Sequence, residues 1–137
     1  MRRIRRTLRE ARGLDPSEHT EAVRFMCAVR AHEHRYPALR WLHHIPNGGW
    51  RKASVAAKLK GEGVRAGVAD YFLPLPAAGY HGLYIELKTQ SAGTASREQK
   101  NFAEFVTEQG YAHAFARGWE EAWRVVCDYV GIPYRVT

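Results

Sequence analysis

The chain has 137 residues, of which 45% are hydrophobic and 26% are charged. This composition is typical of a soluble globular protein, and the length predicts one domain with no room for a second. No apolar run approaches the roughly 20 residues that a membrane-spanning helix needs, and the arginine-rich start lacks the apolar segment of a secretory signal. We therefore expect a cytoplasmic protein without a membrane partner.

The net charge of +7 is concentrated at the N-terminus. Residues 1–12 contain six arginines and one glutamate, so they carry +5, and the other 125 residues carry only +2. A basic arm suits contacts with a phosphate backbone. A solvated tail without a partner has the same composition. We predict a basic arm over residues 1–14 and a folded domain over residues 15–137.

The first predicted element is a helix over about residues 16–34. Its core stripe on a 3.6-residue wheel contains four apolar residues: Ala22, Phe25, Met26 and Val29. Glu18 lies close to this stripe, whereas Glu21 lies further toward the polar side. An inward carboxylate needs a partner or a metal, so Glu18 is the better candidate for a functional acid. A helix-dipole or capping role in the first turn is the alternative.

A strand over residues 39–45 and a short helix over residues 54–60 are predicted next. The turn Pro46-Asn47-Gly48-Gly49 between them is either a simple tight turn or a backbone and amide surface for DNA, with Arg51 beside it. The pair His43-His44 has no neighbouring cysteine and no HExxH spacing, so a zinc site is disfavoured. A core or surface role is preferred for both histidines, although His44 could line a cleft.

Two short runs rich in β-branched and aromatic residues, Gly67 to Leu73 and Gly82 to Lys88, predict strands. The segment between them contains two prolines and a glycine, which is typical of a turn. A reversal around Ala78-Gly79 places Asp70 opposite Glu86 and Leu87. Because side chains alternate along a strand, Glu86 and Lys88 point to the same face.

Facing side chains on paired strands lie roughly 5 Å apart at Cβ. Two carboxylates at that distance repel each other unless a cation joins them. An oxygen-seeking ion such as Mg²⁺ resolves the conflict between Asp70 and Glu86, and Lys88 could then hold an anionic oxygen or a water. This arrangement is typical of phosphodiester cleavage. A structural Glu86–Lys88 pair with Asp70 as a strand-start residue is the alternative.

The remaining predicted elements are a surface loop, a helix, a strand and a helix, over residues 89–95, 97–109, 111–115 and 119–130. Ser96-Arg97-Glu98-Gln99 fits a capping box at the start of the first of these helices. Its expected buried face contains Phe102, Phe105 and Val106. The whole order, αβ(α)ββαβα, requires a crossover and a mixed sheet, and therefore predicts a three-layer α/β sandwich.

In their order along the chain, these segments resemble the VRR-NUC (virus-type replication-repair nuclease) family of the PD-(D/E)XK superfamily. The segments that carry the resemblance are Ser17-Glu18, Ile45 to Gly49, Lys60 to Asp70, Gly82 to Lys88 and Ser96 to Gln99. The resemblance extends from Ser17 to about Gly131. Two positions depart from the family pattern: Ala22 stands where a glutamine is common, and Ala69 replaces the usual proline.

The resemblance implies a restriction-endonuclease-like fold with a central mixed β-sheet flanked by helices. It implies Mg²⁺ or Mn²⁺ ligated by Asp70, Glu86, the Leu87 carbonyl and, directly or through a water, Glu18. Lys88 would orient the attacking water or stabilise developing charge. Gln99 is a further implied site residue and also suits the capping box. Asn47, Arg51, Lys60 and Arg65 are candidate DNA contacts, and for Arg65 a surface arginine without a partner is the equal alternative.

The implied function is a metal-dependent, structure-selective DNA endonuclease that acts as a homodimer on branched DNA such as four-way (Holliday) junctions, in a bacterial or phage-infected cell. Trp50, Trp119 and Trp123 could form a dimer interface or belong to the core. Two alternatives remain. One is a non-catalytic nucleic-acid-binding module on the same fold, which the intact acids and lysine disfavour. The other is a restriction-type nuclease, for which the chain is short. Cys27 and Cys127 lack metal-ligand spacing and are expected to be buried, reduced thiols.

Overall fold

The computed structural model describes residues 17–46 and 53–134. The predicted basic arm, Asn47, Trp50 and Arg51 lie outside the described residues, so the predictions for them stay predictions. Among the described helices, none combines the length and the apolar character needed to cross a bilayer.

One mixed sheet with helices on both faces forms the described fold. The elements in chain order are helix α1 (Glu18–His32), a 3₁₀ helix (Pro37–Trp41), strand β1 (His43–His44), helix α2 (Ala53–Gly61), strands β2 (Tyr71–Leu73) and β3 (Leu83–Lys88), helix α3 (Arg97–Glu108), strand β4 (Ala112–Arg117) and helix α4 (Trp119–Val130). The strand order is β1-β2-β3-β4, with β3 and β4 parallel and the other pairs antiparallel. The predicted restriction-endonuclease-like α/β fold is confirmed.

The three layers follow from the alternation of side chains along the strands. Tyr71 points to one face, where its ring lies 4.9 Å from the ring of Phe25 on α1. Tyr84 points to the other face, where its ring lies 5.1 Å from that of Phe102 on α3. Helices α1 and α4 therefore cover one face of the sheet and α3 covers the other.

The β2–β3 hairpin reverses at Ala78-Gly79, as predicted. Both residues have positive φ, 51° for Ala78 and 85° for Gly79. Tyr71 pairs with Ile85 in the resulting register. One step beyond that pair, the same register places Asp70 opposite Glu86, which is the arrangement on which the site depends.

The predicted strand over residues 39–45 is wrong for its first half. The chain forms the 3₁₀ helix there, and only His43–His44 pair with β2. Leu39 and Leu42 are both buried. A spacing of three residues matches one turn of a 3₁₀ helix, and Pro37 suits its first turn. Alternation along a strand would have placed these two leucines on opposite faces.

Two predictions of burial are also wrong. Phe105 on α3 is 60% exposed, because α3 turns Phe102 and Val106 toward the sheet instead. Cys27 on α1 is exposed, whereas Cys127 on α4 is buried as predicted. Of the described tryptophans, Trp123 belongs to the core and Trp119 is half-buried.

Candidate active site

The two predicted acids meet where β2 begins and β3 ends. Asp70 immediately precedes β2, and its Oδ2 accepts a hydrogen bond of 2.8 Å from the main-chain N–H of Leu87. Glu86 lies within β3 and is only 5% exposed. The pairing of β2 with β3 therefore holds two carboxylates side by side in a poorly solvated position.

This position disfavours two negative charges. Burial, followed by the charge of Asp70, raises the pKa of Glu86 to about 8. Burial is also the main cause that raises the pKa of Asp70. Among the described residues, Glu86 Oε2 is buried and has no hydrogen-bond partner. An unpaired buried carboxylate oxygen is costly, so the pair is complete only with a proton or a cation.

Lys88 and Glu86 are linked by Gln99, which lies in the first turn of α3. The Lys88 ammonium donates to Gln99 Oε1 over 2.7 Å, and Gln99 Nε2 donates to Glu86 Oε1 over 2.8 Å. The direct distance from Lys88 Nζ to Glu86 Oε1 is 3.9 Å. One amide side chain thus holds the acid and the base of the ExK segment in a fixed relation.

Gln99 also forms the predicted capping box. Its Oε1 accepts from the Ser96 N–H over 3.0 Å, and its own N–H donates to Ser96 Oγ over 3.2 Å. Gln99 therefore caps the helix and contacts Glu86 at the same time. The start of α3 is therefore anchored to the acids of the sheet.

We call the space in front of the acids the acidic cleft. Its volume is about 450 Å³, within the range of ligand-binding clefts. Six predicted site residues line it: Glu18, Asp70, Glu86, Leu87, Lys88 and Gln99. Glu18 is exposed, in contrast to Glu86, and its charge adds a small upward contribution to the pKa of both other acids. Within residues 17–46 and 53–134, no three acidic, histidine or cysteine side chains are close enough to hold a metal ion together.

The main chain of Leu87 is directed toward Asp70. In a strand the N–H and C=O of one residue point to the same neighbour. The Lys88 carbonyl accepts from Gly118 N–H on the β4 side, over 2.7 Å. Leu87 therefore faces the opposite side, where its N–H meets Asp70. Its carbonyl points toward that same side, which is consistent with the ligand role that remains predicted for it.

Gly67 brings the chain before Asp70 against the start of α3. Its φ is +89°, a conformation that side chains disfavour, and a Cβ there would overlap the backbone of Glu98. Because Glu98 precedes Gln99, this contact fixes the distance between the loop that carries Asp70 and the amide that holds Lys88. A glycine is required at this position of the cleft wall.

His44 and His19 line the acidic cleft, although a role for His44 there was not the preferred prediction and His19 was not predicted to have one. Pairing of β1 with β2 places His44 opposite Tyr71, and its charge lowers the pKa of Asp70. His44 could have been found by pairing its predicted strand antiparallel with the strand that follows Asp70, because this pairing places His44 opposite Tyr71. His19 follows Glu18 on α1 and could have been found from that neighbour.

The prediction that Glu21 faces the polar side of α1 is wrong. Glu21 is 3% exposed, and its carboxylate accepts a hydrogen bond from the Trp119 N–H at the start of α4. Gly118 caps α4 without a side chain, so Glu21 supplies the missing acceptor and a favourable charge at the helix N-terminus. The buried face of α1 is wider than the predicted stripe because α1 contacts both the sheet and α4.

Arg117, at the end of β4, holds the loop that joins β3 to α3. Its guanidinium donates to the carbonyls of Ala92 at 2.6 Å, Gly93 at 3.3 Å and Thr89 at 3.4 Å. This loop connects Lys88 to Ser96, so Arg117 restrains the connection between the ExK segment and Gln99. Nothing in the sequence around Arg117 indicated this role.

Two of the four predicted DNA contacts can be located. Lys60 is exposed on α2, a helix with no buried residue, and Arg65 is exposed in the loop that follows. Neither lines the acidic cleft, but the adjacent Ala66 does. Both cations are therefore free of the core and close in sequence to the cleft wall.

Comparison with known proteins bears on the type of domain. A solved structure described as a "VRR_NUC domain protein" is similar, with a TM-score of 0.66 and 27% sequence identity, and the match covers 82% of this chain and 89% of that chain. No family model and no curated protein matches. The similarity supports a VRR-NUC domain and suggests a nuclease domain of the PD-(D/E)XK type.

Proposed function

We propose that this chain is a metal-dependent, structure-selective DNA endonuclease that acts as a homodimer on branched DNA such as four-way junctions. The observation that carries the nuclease assignment is the pair of Asp70 and Glu86, linked through Gln99 to Lys88. The similar VRR_NUC domain protein supports a nuclease. The preference for branched DNA and the dimer rest on the family resemblance.

The residues present fit Mg²⁺ or Mn²⁺. Both ions prefer oxygen ligands, and Glu86 Oε2 is a buried oxygen without a partner in the described part of the chain. Asp70, Glu86 and the Leu87 carbonyl would hold the ion, and the exposed Glu18 would reach it through a water. The chemistry that such an ion supplies is activation of a water and neutralisation of charge on the scissile phosphate.

Lys88 and Gln99 prepare the cleft for the reacting phosphate. An ammonium group has three donors, and Lys88 uses one on Gln99. The others can hold the attacking water or a phosphate oxygen on which negative charge develops. The oxygen of that water forms a bond to phosphorus while the bond from phosphorus to O3′ breaks. The water gives up one proton to solvent and O3′ takes one up, so the products carry a 5′-phosphate and a 3′-hydroxyl.

DNA would enter across the exposed cations beside the cleft. Lys58 and Lys60 on α2 and Arg65 in the next loop are exposed. A helix of nine residues without buried residues gains little from packing, so contact with phosphates can stabilise it. The predicted contacts Asn47 and Arg51 precede this helix in sequence.

Cleavage of labelled four-way junction, flap and linear duplex in Mg²⁺ or Mn²⁺ tests this proposal. We expect junction cutting by the wild type and a loss of about 10³-fold or more in Glu86→Ala. Glu104→Ala, which removes an exposed acid from α3, is the matched control and should cut normally.

Other outcomes separate the alternative functions. Equal cutting of linear duplex would keep the nuclease and remove the structure selectivity, and cutting at a fixed sequence would indicate a restriction-type enzyme. DNA binding that is unchanged by a chelator, without cutting of any substrate, would indicate a non-catalytic binding module.

A further inference from the structure

A second cavity is lined by other residues of helices α1 and α4. Its volume is about 720 Å³, and it lies between the end of α1, helix α4 and residues 132–134. We call it the aromatic cavity, after the side chains that dominate its wall: His32, Tyr36, Trp119, Trp123 and Tyr134. It shares no lining residue with the acidic cleft.

The two spaces are lined by different stretches of α1, with Ala22 and Ala28 as the nearest lining residues, about 9 Å apart along the helix axis. Glu18 of the acidic cleft and His32 of the aromatic cavity are at opposite ends of this helix. At 1.5 Å per residue they lie about 21 Å apart along its axis. A ligand in the aromatic cavity therefore has its own contacts and needs neither Asp70 nor Glu86.

Planar rings form a preorganised wall in this cavity. The ring of His32 lies 4.4 Å from that of Trp123, and Trp123 is itself held in the core. His32 Nδ1 also donates to the Ala28 carbonyl over 2.7 Å, which fixes the plane of the imidazole. Trp119, Tyr36 and Tyr134 are half-buried, so each presents part of its ring to the open space. Such surfaces bind flat aromatic groups by stacking.

Charged groups of both signs surround these rings. Arg35 is exposed, with its guanidinium 5.8 Å from the centre of the Tyr36 ring, and it makes no hydrogen bond or ion pair with the described part of the chain. Glu120, in the first turn of α4, supplies acceptor oxygens on the same wall. An unpaired guanidinium suits a phosphate, and a carboxylate suits an amino group on a ring edge.

We propose that the aromatic cavity binds a nucleotide unit, with the base against the rings and the phosphate on Arg35. The ligand is either an unpaired nucleotide of a DNA strand or a free nucleotide, because both offer the same base and phosphate. This site goes beyond the proposed nuclease activity, and its occupancy does not depend on cleavage.

Calorimetric titration of the full chain in a chelator, without divalent metal, tests the proposal. The probes are dAMP, deoxyadenosine and inorganic phosphate. We expect Arg35→Gln to weaken the binding of dAMP about tenfold, because a charged contact with the phosphate is lost. The binding of deoxyadenosine, which has no phosphate, should be unchanged. Arg40→Gln is the matched control, because Arg40 is equally exposed on the 3₁₀ helix but does not line the cavity.

A second pair of variants tests the stacking surface. Trp119→Ala should weaken both dAMP and deoxyadenosine, whereas Trp119→Phe should retain most of the binding. Both variants keep the main-chain N–H of residue 119, which donates a hydrogen bond to the Glu21 carboxylate, so α4 keeps its cap. Displacement of dAMP by a single-stranded oligonucleotide but not by a duplex would identify an unpaired DNA nucleotide as the ligand. Absence of this displacement would identify a free nucleotide as the ligand.

Two results would overturn the proposal. One is the absence of dAMP binding to the wild type, or binding that neither Arg35→Gln nor Trp119→Ala changes. The other is loss of dAMP binding in Glu86→Ala, which would place the nucleotide in the acidic cleft. Because no cleavage is measured, failure here leaves the proposed nuclease untouched, and an inactive nuclease leaves this site untouched.

Discussion

The acidic cleft and the aromatic cavity are both large enough for a ligand, but their energetics differ. The aromatic cavity is the larger, about 720 Å³ against 450 Å³. Yet the raised pKa values of neighbouring acids and the unpartnered buried oxygen of Glu86 belong to the smaller space. Size marks a place where something can bind, whereas a local conflict of charge marks a place where chemistry can occur.

The largest expected effect separates the two spaces by function. Lys88→Ala should reduce cleavage at saturating DNA by about 10²- to 10³-fold, because it removes the cation that faces developing charge. Single-turnover rates measure this loss. Lys100→Ala, at an exposed position of α3, is the control and should keep the rate within a few-fold. Nucleotide binding in the aromatic cavity should be the same in both variants. Equal rates for Lys88→Ala and the wild type would remove Lys88 from the reaction.

Stability against pH tests the conflict of charge itself. The pKa of Glu86 rises from 4.5 to about 8 on folding. The folded state therefore holds this proton more tightly, so the contribution of Glu86 to the stability of the metal-free protein is fully present below the unfolded pKa and is lost as pH rises toward 8. The loss should be a few kcal/mol, since each pKa unit is worth about 1.4 kcal/mol.

Chemical denaturation at pH 5, 6.5 and 8 in a chelator measures this dependence. Glu86→Gln should lose the part of this dependence that is due to Glu86, because the amide carries no charge at any of these pH values. The part due to His113 remains: burial lowers the pKa of His113 to about 4, which raises stability from pH 5 to 6.5 in both proteins. Addition of Mg²⁺ should restore stability at pH 8 in the wild type alone. A difference in stability between the wild type and Glu86→Gln that is constant from pH 5 to 8 would contradict the raised pKa of Glu86.

The wall of the acidic cleft can be disrupted by a substitution that changes no charged residue. In Gly67→Ala the residue must keep a strained φ, and its Cβ overlaps the backbone of Glu98. We therefore expect a loss of about 2–4 kcal/mol in the free energy of unfolding and slower DNA cleavage. Gly93→Ala is the control, because a Cβ there meets nothing within 4 Å. If the two variants are equally stable, the close approach of the loop to α3 is not required.

The sequence predicted the acidic cleft because its main residues obey local rules. Asp70 and Glu86 follow from one hairpin register and Lys88 from strand alternation, whereas Gln99 was a site residue by the family resemblance and a helix cap by its local sequence. Glu21 could not be found in this way, since its partner Trp119 is 98 positions away in sequence. The aromatic cavity has the same difficulty: His32, Trp119 and Tyr134 meet only after α1 and α4 have packed. The 3₁₀ helix was missed because Leu39, within it, and Leu42, directly after it, stand in an otherwise strand-like segment.

The smallest expected effect distinguishes the two positions of Gln99. Ser96→Ala removes the cap acceptor alone and should cost about 1 kcal/mol of stability with little change in cleavage. Gln99→Ala should cost a similar amount of stability and should also slow cleavage about tenfold or more, because both Lys88 and Glu86 lose their shared partner. Denaturation and single-turnover rates, measured on both variants, give the comparison. If both variants cut at the same rate, the Gln99 amide serves only the helix cap, and Lys88 finds its place without it.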